Sequence, residues 1–173
     1  MQFLEDLLPL IDRFVAAYGA LAIFAVIYLE SFGAPLPGET AVIAAGLLAA
    51  RGDISIAAVF AAVFCGAVAG DTTGYLVGRF GGRHLLERFG PYVKLTPERL
   101  KAFEAQFAAK GFYLVMAARF LPVLRQLNGL IAGAMNMPWQ RFIAAQMIGA
   151  LLWTAVYALG PYFFTEWFRG VGR

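Results

Sequence analysis

The chain of 173 residues is 61% hydrophobic and only 14% charged, whereas soluble domains carry about 25% charged residues. This composition predicts one all-α domain in a lipid bilayer, and a net charge of +3 is no sign of nucleic-acid binding. The single cysteine, Cys65, lies in an apolar run, and the single histidine, His84, lies in a polar loop. We therefore expect neither a disulfide framework nor a metal site, and no cofactor.

The N-terminal residues 1–13 mix apolar side chains with acids, which predicts a short amphipathic helix at the membrane surface. Glu5, Asp6 and Asp12 stand where a cleavable signal sequence would carry basic residues, so no such signal is expected. Residues 14–29 form the first apolar span.

The next apolar segment, residues 31–50, opens with Pro35, Pro37 and Gly38, followed by Glu39. Proline interrupts helices, and irregular backbone at membrane depth is tolerated only where it is buried in protein or lines a polar cavity. We therefore predict a re-entrant hairpin that enters the bilayer and returns. Residues 51–53 form a polar turn that contains Asp53.

A long span follows at residues 54–78, with glycine at every fourth position: Gly66, Gly70, Gly74 and Gly78. Such a stripe lets another helix approach closely. Asp71 lies inside this span, eight residues before Arg79. At 1.5 Å per residue, its depth below the surface is roughly 12 Å.

Residues 79–110 are polar and hold seven of the fourteen basic residues: Arg79, Arg83, Arg88, Lys94, Arg99, Lys101 and Lys110. Basic loops stay in the cytoplasm, which places this loop inside, the turn at 51–53 outside and residues 1–13 inside. Thr96, Pro97 and Glu98 are typical of a helix start. We predict an amphipathic surface helix that ends at Gly111.

Arg119 and Arg125 flank Pro122 in an otherwise apolar run, residues 112–137. An arginine at bilayer depth costs about 2.5–3.5 kcal/mol on insertion scales. The alternative is that both arginines snorkel from a helix end to the interface. A final span is predicted at 141–164, followed by a polar tail at 165–173. The candidate interface anchors are aromatic: Trp139, Trp153, Tyr162 and Trp167.

The two proline-containing segments resemble each other. Pro35 is followed ten and eleven residues later by Ala45-Gly46, and Pro122 is followed at the same offsets by Ala132-Gly133. In the predicted topology the two segments open on opposite sides. They therefore predict an inverted repeat, with two re-entrant broken-helix hairpins meeting near the midplane. The first repeat covers residues 30–80 and the second residues 111–162, with the cytoplasmic loop and amphipathic helix at 79–110 between them.

The ionisable residues divide between these repeats, with Glu30, Glu39 and Asp71 in the first and Arg119 and Arg125 in the second. Pairing across the repeat interface would lower the cost of burying both sets. One interpretation is a structural ion-pair cluster that only stabilises the fold. The other is transport, because arginines bind phosphate through bidentate hydrogen bonds and membrane carboxylates commonly relay protons.

Three motifs in this order are similar to those of the DedA family, whose eukaryotic relatives share the VTT domain. They are Glu30-x4-Pro35-x-Pro37-Gly38-Glu39, then Gly70-Asp71-x2-Gly74-Tyr75-x2-Gly78-Arg79, and then Arg119-Phe120-x-Pro122-x2-Arg125-x6-Ala132-Gly133. The resemblance implies a multi-pass flippase or scramblase of the bacterial cytoplasmic (inner) membrane. Its partners would be membrane lipids, such as undecaprenyl phosphate, another polyprenyl phosphate or a phospholipid, together with protons or cations.

The family's essential acids fall on Glu39 and Asp71 of this chain, and its essential arginines fall on Arg119 and Arg125. Glu30 and Asp53 are secondary candidates. Family members commonly continue with a further C-terminal transmembrane helix, whereas 13 residues follow Gly160 here. The side of the C-terminus and any homo-oligomer contact therefore stay open.

Three functions are compatible with these residues. In the first, a transporter, the two arginines hold a lipid phosphate while Glu39 and Asp71 exchange protons. In the second, a proton-coupled exporter of small ions or drugs, the arginines are counter-ions to the acids. The third is a non-catalytic membrane scaffold. An enzyme is not expected, because the chain offers no histidine-containing triad and no activated nucleophile.

Overall fold

A computed structural model of the chain describes residues 18–82 and 97–171, and these residues form six helices. The helices are α1 (Tyr18–Phe32), α2 (Gly38–Arg51), α3 (Ile56–Val77), α4 (Pro97–Ala118), α5 (Pro122–Ala134) and α6 (Trp139–Thr154). Helix α3 continues as a π-helical turn, Gly78–Gly82, and α6 continues through a second one, Ala155–Leu159, into Gly160–Val171. The all-α prediction is confirmed for the described residues.

Several sequence predictions lie outside the described residues. They are the surface helix at 1–13, the start of the first span, His84 with most of the basic loop, and the helix cap at Thr96.

Two helices are long and apolar enough to cross a membrane, at Ile56–Gly82 and Trp139–Thr165. Each has 27 residues, which corresponds to about 40 Å at 1.5 Å per residue. Helix α1 is apolar but shorter. Large apolar side chains cover the outer faces of these helices, including Leu21, Leu76, Ile148 and Leu151. Such side chains are stable on an outer surface when that surface contacts lipid.

Two helix boundaries differ from the sequence prediction. The predicted end of a surface helix at Gly111 is wrong, because α4 passes through this residue and continues to Ala118. Gly111 is buried beside Met137, and the packing of Phe107, Phe112 and Val115 in one cluster with Met137 offsets the roughly 1 kcal/mol that glycine costs in a helix. The last helix continues beyond the predicted final span, through most of the predicted polar tail, to Val171.

The prolines lie at helix breaks, as the sequence predicted. Residues 33–37, which contain Pro35 and Pro37, separate α1 from α2, and a turn at 119–121 separates α4 from α5. Pro122 occupies the first turn of α5, where a missing backbone N–H is harmless. The helices that follow the two breaks have 14 and 13 residues, whereas about 20 are needed to span a bilayer.

The glycine stripe of α3 brings two other helices into backbone contact. A methyl group added at Gly66 or Gly70 would overlap the backbone of α1, and one added at Gly78 would overlap the backbone of α5 at Leu130. Helix α5 contributes small residues in return, because a Cβ at Gly129 would overlap the carbonyl oxygen of Asp71. The predicted close approach is therefore confirmed, with α5 as one of the two partners.

We expect Gly129→Ala to destabilise the protein by about 1–3 kcal/mol, because the methyl group would force α3 and α5 apart. Gly160→Ala is the matched control, since a Cβ at this helical position meets no other group within 4 Å. It is expected to be neutral or to stabilise the protein by up to about 1 kcal/mol. Thermal unfolding in detergent compares the two variants, and equal melting temperatures would contradict the predicted contact.

The core consists of two apolar clusters that meet along α3. Ala67 belongs to the first cluster, together with Ile27 and Trp153, and Tyr75 belongs to the second, together with Phe142. The Tyr75 hydroxyl donates a hydrogen bond of 2.6 Å to a backbone carbonyl after α5, at Met137. Asp71 lies between Ala67 and Tyr75, one helical turn from each. The fold therefore places a carboxylate at the junction of its two apolar cores.

Candidate functional site

Asp71 and Arg119 form a buried ion pair. The Arg119 Nη1 donates a hydrogen bond of 2.6 Å to Asp71 Oδ2, and the side chains are 1% and 0% exposed. Arg119 lies in the turn between α4 and α5, which the break before Pro122 directs toward α3. The sequence predicted that these two residues lie at similar depths, and the structure brings them into direct contact.

Gln146 of α6 also contacts this ion pair. Its Nε2 donates one hydrogen bond to Asp71 Oδ2 and another, of 3.3 Å, to the carbonyl oxygen of Ala67. The side chain of Gln146 is 1% exposed. Sequence reasoning missed this residue, although a lone amide inside an otherwise apolar span is itself a signal of a buried polar contact.

Arg125, in the first turn of α5, forms a second buried ion pair, which we call the Arg125 centre. Its Nη2 donates a hydrogen bond of 2.7 Å to Glu30 Oε1 on α1. The backbone N–H of Gly38 donates to the same oxygen at 3.2 Å, and a Cβ at Gly38 would overlap the Glu30 carboxylate. The absence of a side chain at this position therefore allows Glu30 to approach the start of α2.

Glu39 and Asp53 occupy different positions relative to this centre. Glu39 Oε1 lies 3.4 Å from Arg125 Nη1, and its side chain is 36% exposed. Asp53 lies in the exposed turn between α2 and α3 and joins no ion pair with the described residues. Glu30, a secondary candidate from the sequence, is thus the closer partner of Arg125.

Trp153 belongs to this site and is not an interface anchor. It is 1% exposed, and the Arg125 guanidinium lies over its ring, 4.6 Å from the ring centroid. Trp153 lies two turns after Gln146 and therefore on the same face of α6. The prediction of an interface anchor was wrong because this face packs toward the core. Trp139 and Trp167 are exposed, and their role as interface anchors stays a prediction.

Several buried polar atoms of the site have no hydrogen-bond partner. The donors among them are Arg119 Nε, Arg125 Nε and Trp153 Nε1, and Arg125 Nη1 has an ion pair with Glu39 at 3.4 Å but no hydrogen bond. The acceptors are Asp71 Oδ1 and Gln146 Oε1, and the hydroxyl of Thr154 is also unpaired. Buried polar groups are nearly always paired in stable proteins. The unpaired donors therefore suit an acceptor-rich anion.

An apolar cavity of about 300 Å³ lies between α4 and α5, and neither Arg119 nor Arg125 lines it. Its lining includes Ala118, Leu121 and Leu124, which are direct sequence neighbours of Arg119, of Pro122 and of Arg125. A hydrocarbon chain fits such a lining. No group of three metal-ligating side chains occurs among residues 18–82 and 97–171.

Comparison with known proteins identifies one domain and a set of membrane proteins. Residues 36–163 match the VTT domain. The chain is 37% identical over 156 residues to an uncharacterized membrane protein of Synechocystis sp. (strain PCC 6803), and the alignment covers 90% of this chain and 72% of that protein. It is 36% identical over 143 residues to an uncharacterized membrane protein of Mycobacterium tuberculosis (strain H37Rv), which covers 77% and 63%.

A further relative is undecaprenyl phosphate transporter A of Bacillus subtilis, 29% identical over 134 residues. That alignment covers 76% of this chain and 67% of the transporter. No solved structure matches the chain. Because these relatives are bacterial membrane proteins and the structure contains helices that can span a bilayer, the protein is an integral membrane protein.

Proposed function

The chain belongs to the VTT-domain family of membrane proteins, also called the DedA family, and from this premise we propose that it transports a lipid phosphate across the membrane. Undecaprenyl phosphate is the candidate substrate, because one relative is named as its transporter. Transport, and not an enzymatic reaction, is the activity that this relationship favours.

The observation that carries the proposal is the set of unpaired donors on Arg119, Arg125 and Trp153, buried in a membrane protein. A phosphate monoester is negatively charged and accepts several hydrogen bonds, so it satisfies donors that the protein leaves unpaired. The guanidinium group is planar and binds phosphate through two parallel bonds. The apolar cavity between α4 and α5 fits part of a hydrocarbon chain, which favours a lipid over a small anion.

The helix packing supports an inverted repeat, with α2 and α5 as the short arms of two re-entrant hairpins. Helix α5 contacts α3 and its π-helical turn, and α2 contacts the second π-helical turn and the final segment of α6. Gly133 approaches the carbonyl oxygen of Tyr75, and Gly46 approaches that of Ala158. Each short helix thus packs against the long helix of the other half. The two halves, residues 30–80 and 111–162, form a single domain in this proposal.

Cysteine labelling tests this topology. In a Cys65→Ala background, Ser55→Cys is expected to react with an impermeant thiol reagent from outside, and Lys101→Cys only from the cytoplasm. Both replaced side chains are exposed, so access depends on the side of the membrane. Labelling of both cysteines from the same side would exclude the inverted arrangement.

Glu39 and Asp71 are the proposed proton-coupling residues. Each lies next to an arginine that would bind the lipid phosphate. A phosphate bound to the arginines would weaken their attraction for the carboxylates, so each acid would accept a proton more readily. By linkage, the lipid and the proton then favour one another's binding by the same factor.

Proteoliposomes that contain labelled undecaprenyl phosphate test the proposed function. We expect transbilayer movement of the lipid that depends on an imposed pH gradient and loses this dependence in Glu39→Gln, while lipid binding measured by thermal shift persists. Proton flux without lipid would favour the exporter of small ions or drugs. Wild-type transport with a normal gradient response in Glu39→Gln would remove Glu39 from the mechanism.

The structural alternative rests on one observation, namely that Asp71, Glu30 and both arginines already form ion pairs within the protein. A scaffold that needs these pairs only for folding would neither bind nor move the lipid. Absence of lipid binding by a correctly folded protein would favour it.

A further inference from the structure

We propose that Gln146 is the proton-dependent partner of Asp71, and that protonated Asp71 forms a cyclic pair with the Gln146 amide through two hydrogen bonds. The inference deepens the proposed function, on which it rests, by assigning to proton coupling a residue that none of the sequence motifs contains. Gln146 acts through Asp71 and is therefore a positioning residue.

The hydrogen bonds around Asp71 leave two buried acceptor atoms without a donor. Gln146 Nε2 donates to Asp71 Oδ2, so the amide and the carboxylate already form one of the two bonds of an acid–amide pair. The other atom of each group, Asp71 Oδ1 and Gln146 Oε1, is buried and has no partner. Both atoms are acceptors when the acid is ionised, and two acceptors cannot bond each other.

A single proton on Asp71 supplies the missing donor. When a hydronium ion transfers its proton to Asp71 Oδ1, an O–H bond forms, a water molecule remains, and the carboxyl becomes neutral. The new O–H group can donate to Gln146 Oε1, while Nε2 continues to donate to Oδ2. Both orphaned acceptors are then satisfied by one proton, with Gln146 Nε2 still bound to Asp71 Oδ2.

The remaining charged groups around Asp71 give this step a consequence. Arg119 faces Asp71 from the turn after α4, and Arg125 lies on α5, where Glu30 and Glu39 are its partners. Helix α6 contributes the neutral Gln146. Arginine stays protonated, so neutralising Asp71 leaves Arg119 without its anion. An incoming phosphate can then replace the carboxylate, and the cluster keeps its charge balance.

Infrared difference spectroscopy of the protein in detergent, without lipid, tests the inference. Acidification is expected to produce a carboxylic-acid C=O band that Asp71→Asn removes. Gln146→Met should shift this band to higher frequency, because the acid loses both hydrogen bonds to the amide. Gln146→Asn, whose amide is one methylene shorter, should shift it in the same direction and replaces Gln146→Met if that variant does not fold.

Asn128→Leu is the matched control. Asn128 is a second buried amide, but it donates to the carbonyl oxygen of Val115 and does not bond an acid. The Asp71 band should keep its wild-type frequency in this variant. A band that does not move when Gln146 is replaced, or the absence of any band from Asp71, would overturn the inference. Since no lipid is present, failure of lipid transport would leave the band unchanged, and the two proposals fail separately.

Discussion

Asp71→Leu is expected to destabilise the protein by about 3–5 kcal/mol, the usual cost of removing one partner of a buried ion pair. The loss is large because Arg119 remains charged, is 1% exposed and loses its only ion-pair partner among the described residues. Gln146 loses an acceptor in the same substitution. Chemical or thermal unfolding in detergent micelles measures the change in the free energy of unfolding.

The double variant Asp71→Leu with Arg119→Met separates stability from function. Replacing both charges by apolar side chains of similar size is often neutral for stability, so most of the lost stability should return. Transport should not return, because the carboxylate and one guanidinium are both missing. A stable double variant that still moves the lipid would show that this pair only stabilises the fold, as in the scaffold hypothesis.

Arg125→Lys should lower lipid transport strongly, although the positive charge is kept. A lysine ammonium has no planar fork and can replace neither Nε nor the second terminal nitrogen of the guanidinium. Loss of one hydrogen bond to a charged group costs about 1.5–3 kcal/mol, which corresponds to roughly a 10- to 150-fold decrease. Initial rates of lipid movement in proteoliposomes with a fixed pH gradient measure this effect.

Arg51→Lys is the control for that substitution, since Arg51 is exposed at the end of α2. The same chemical change at this position should leave the transport rate within twofold of the wild type, about 0.4 kcal/mol. If Arg125→Lys transports at the wild-type rate as well, the charge of Arg125 alone is sufficient. The arginine would then be a counter-ion to Glu30 and Glu39, as the exporter hypothesis requires.

The sequence was most informative where a local rule operates. Proline cannot continue a helix, so the breaks near Pro35 and Pro122 were predictable and are confirmed. A glycine at every fourth position predicts a close helix contact, and Gly66 and Gly78 make such contacts. Charged residues in an apolar segment must find partners. The pairing of acids in the first half with arginines in the second was predicted for that reason and is confirmed.

Local rules were less reliable where packing decides. Gly111 was predicted to end a helix, yet α4 continues because the packing of its neighbours Phe112 and Val115 in one cluster with Met137 outweighs the intrinsic cost of glycine. Trp153 matched the composition of an interface anchor, but the orientation of α6 places it under Arg125. Which face of an apolar helix is buried cannot be read from its hydrophobicity when nearly every position is apolar.

By itself, the sequence determined the membrane setting, the helix breaks and which charges had to be paired, because each follows from the cost of polar groups in hydrocarbon. Only the tertiary structure decided which acid meets which arginine. Glu30 lies closer to Arg125 than Glu39 does, and Asp71 Oδ2 accepts hydrogen bonds from both Arg119 and Gln146. These partners lie 48 to 95 positions apart in the chain. Their distances depend on how closely glycine-lined backbones pack, which no local pattern specifies.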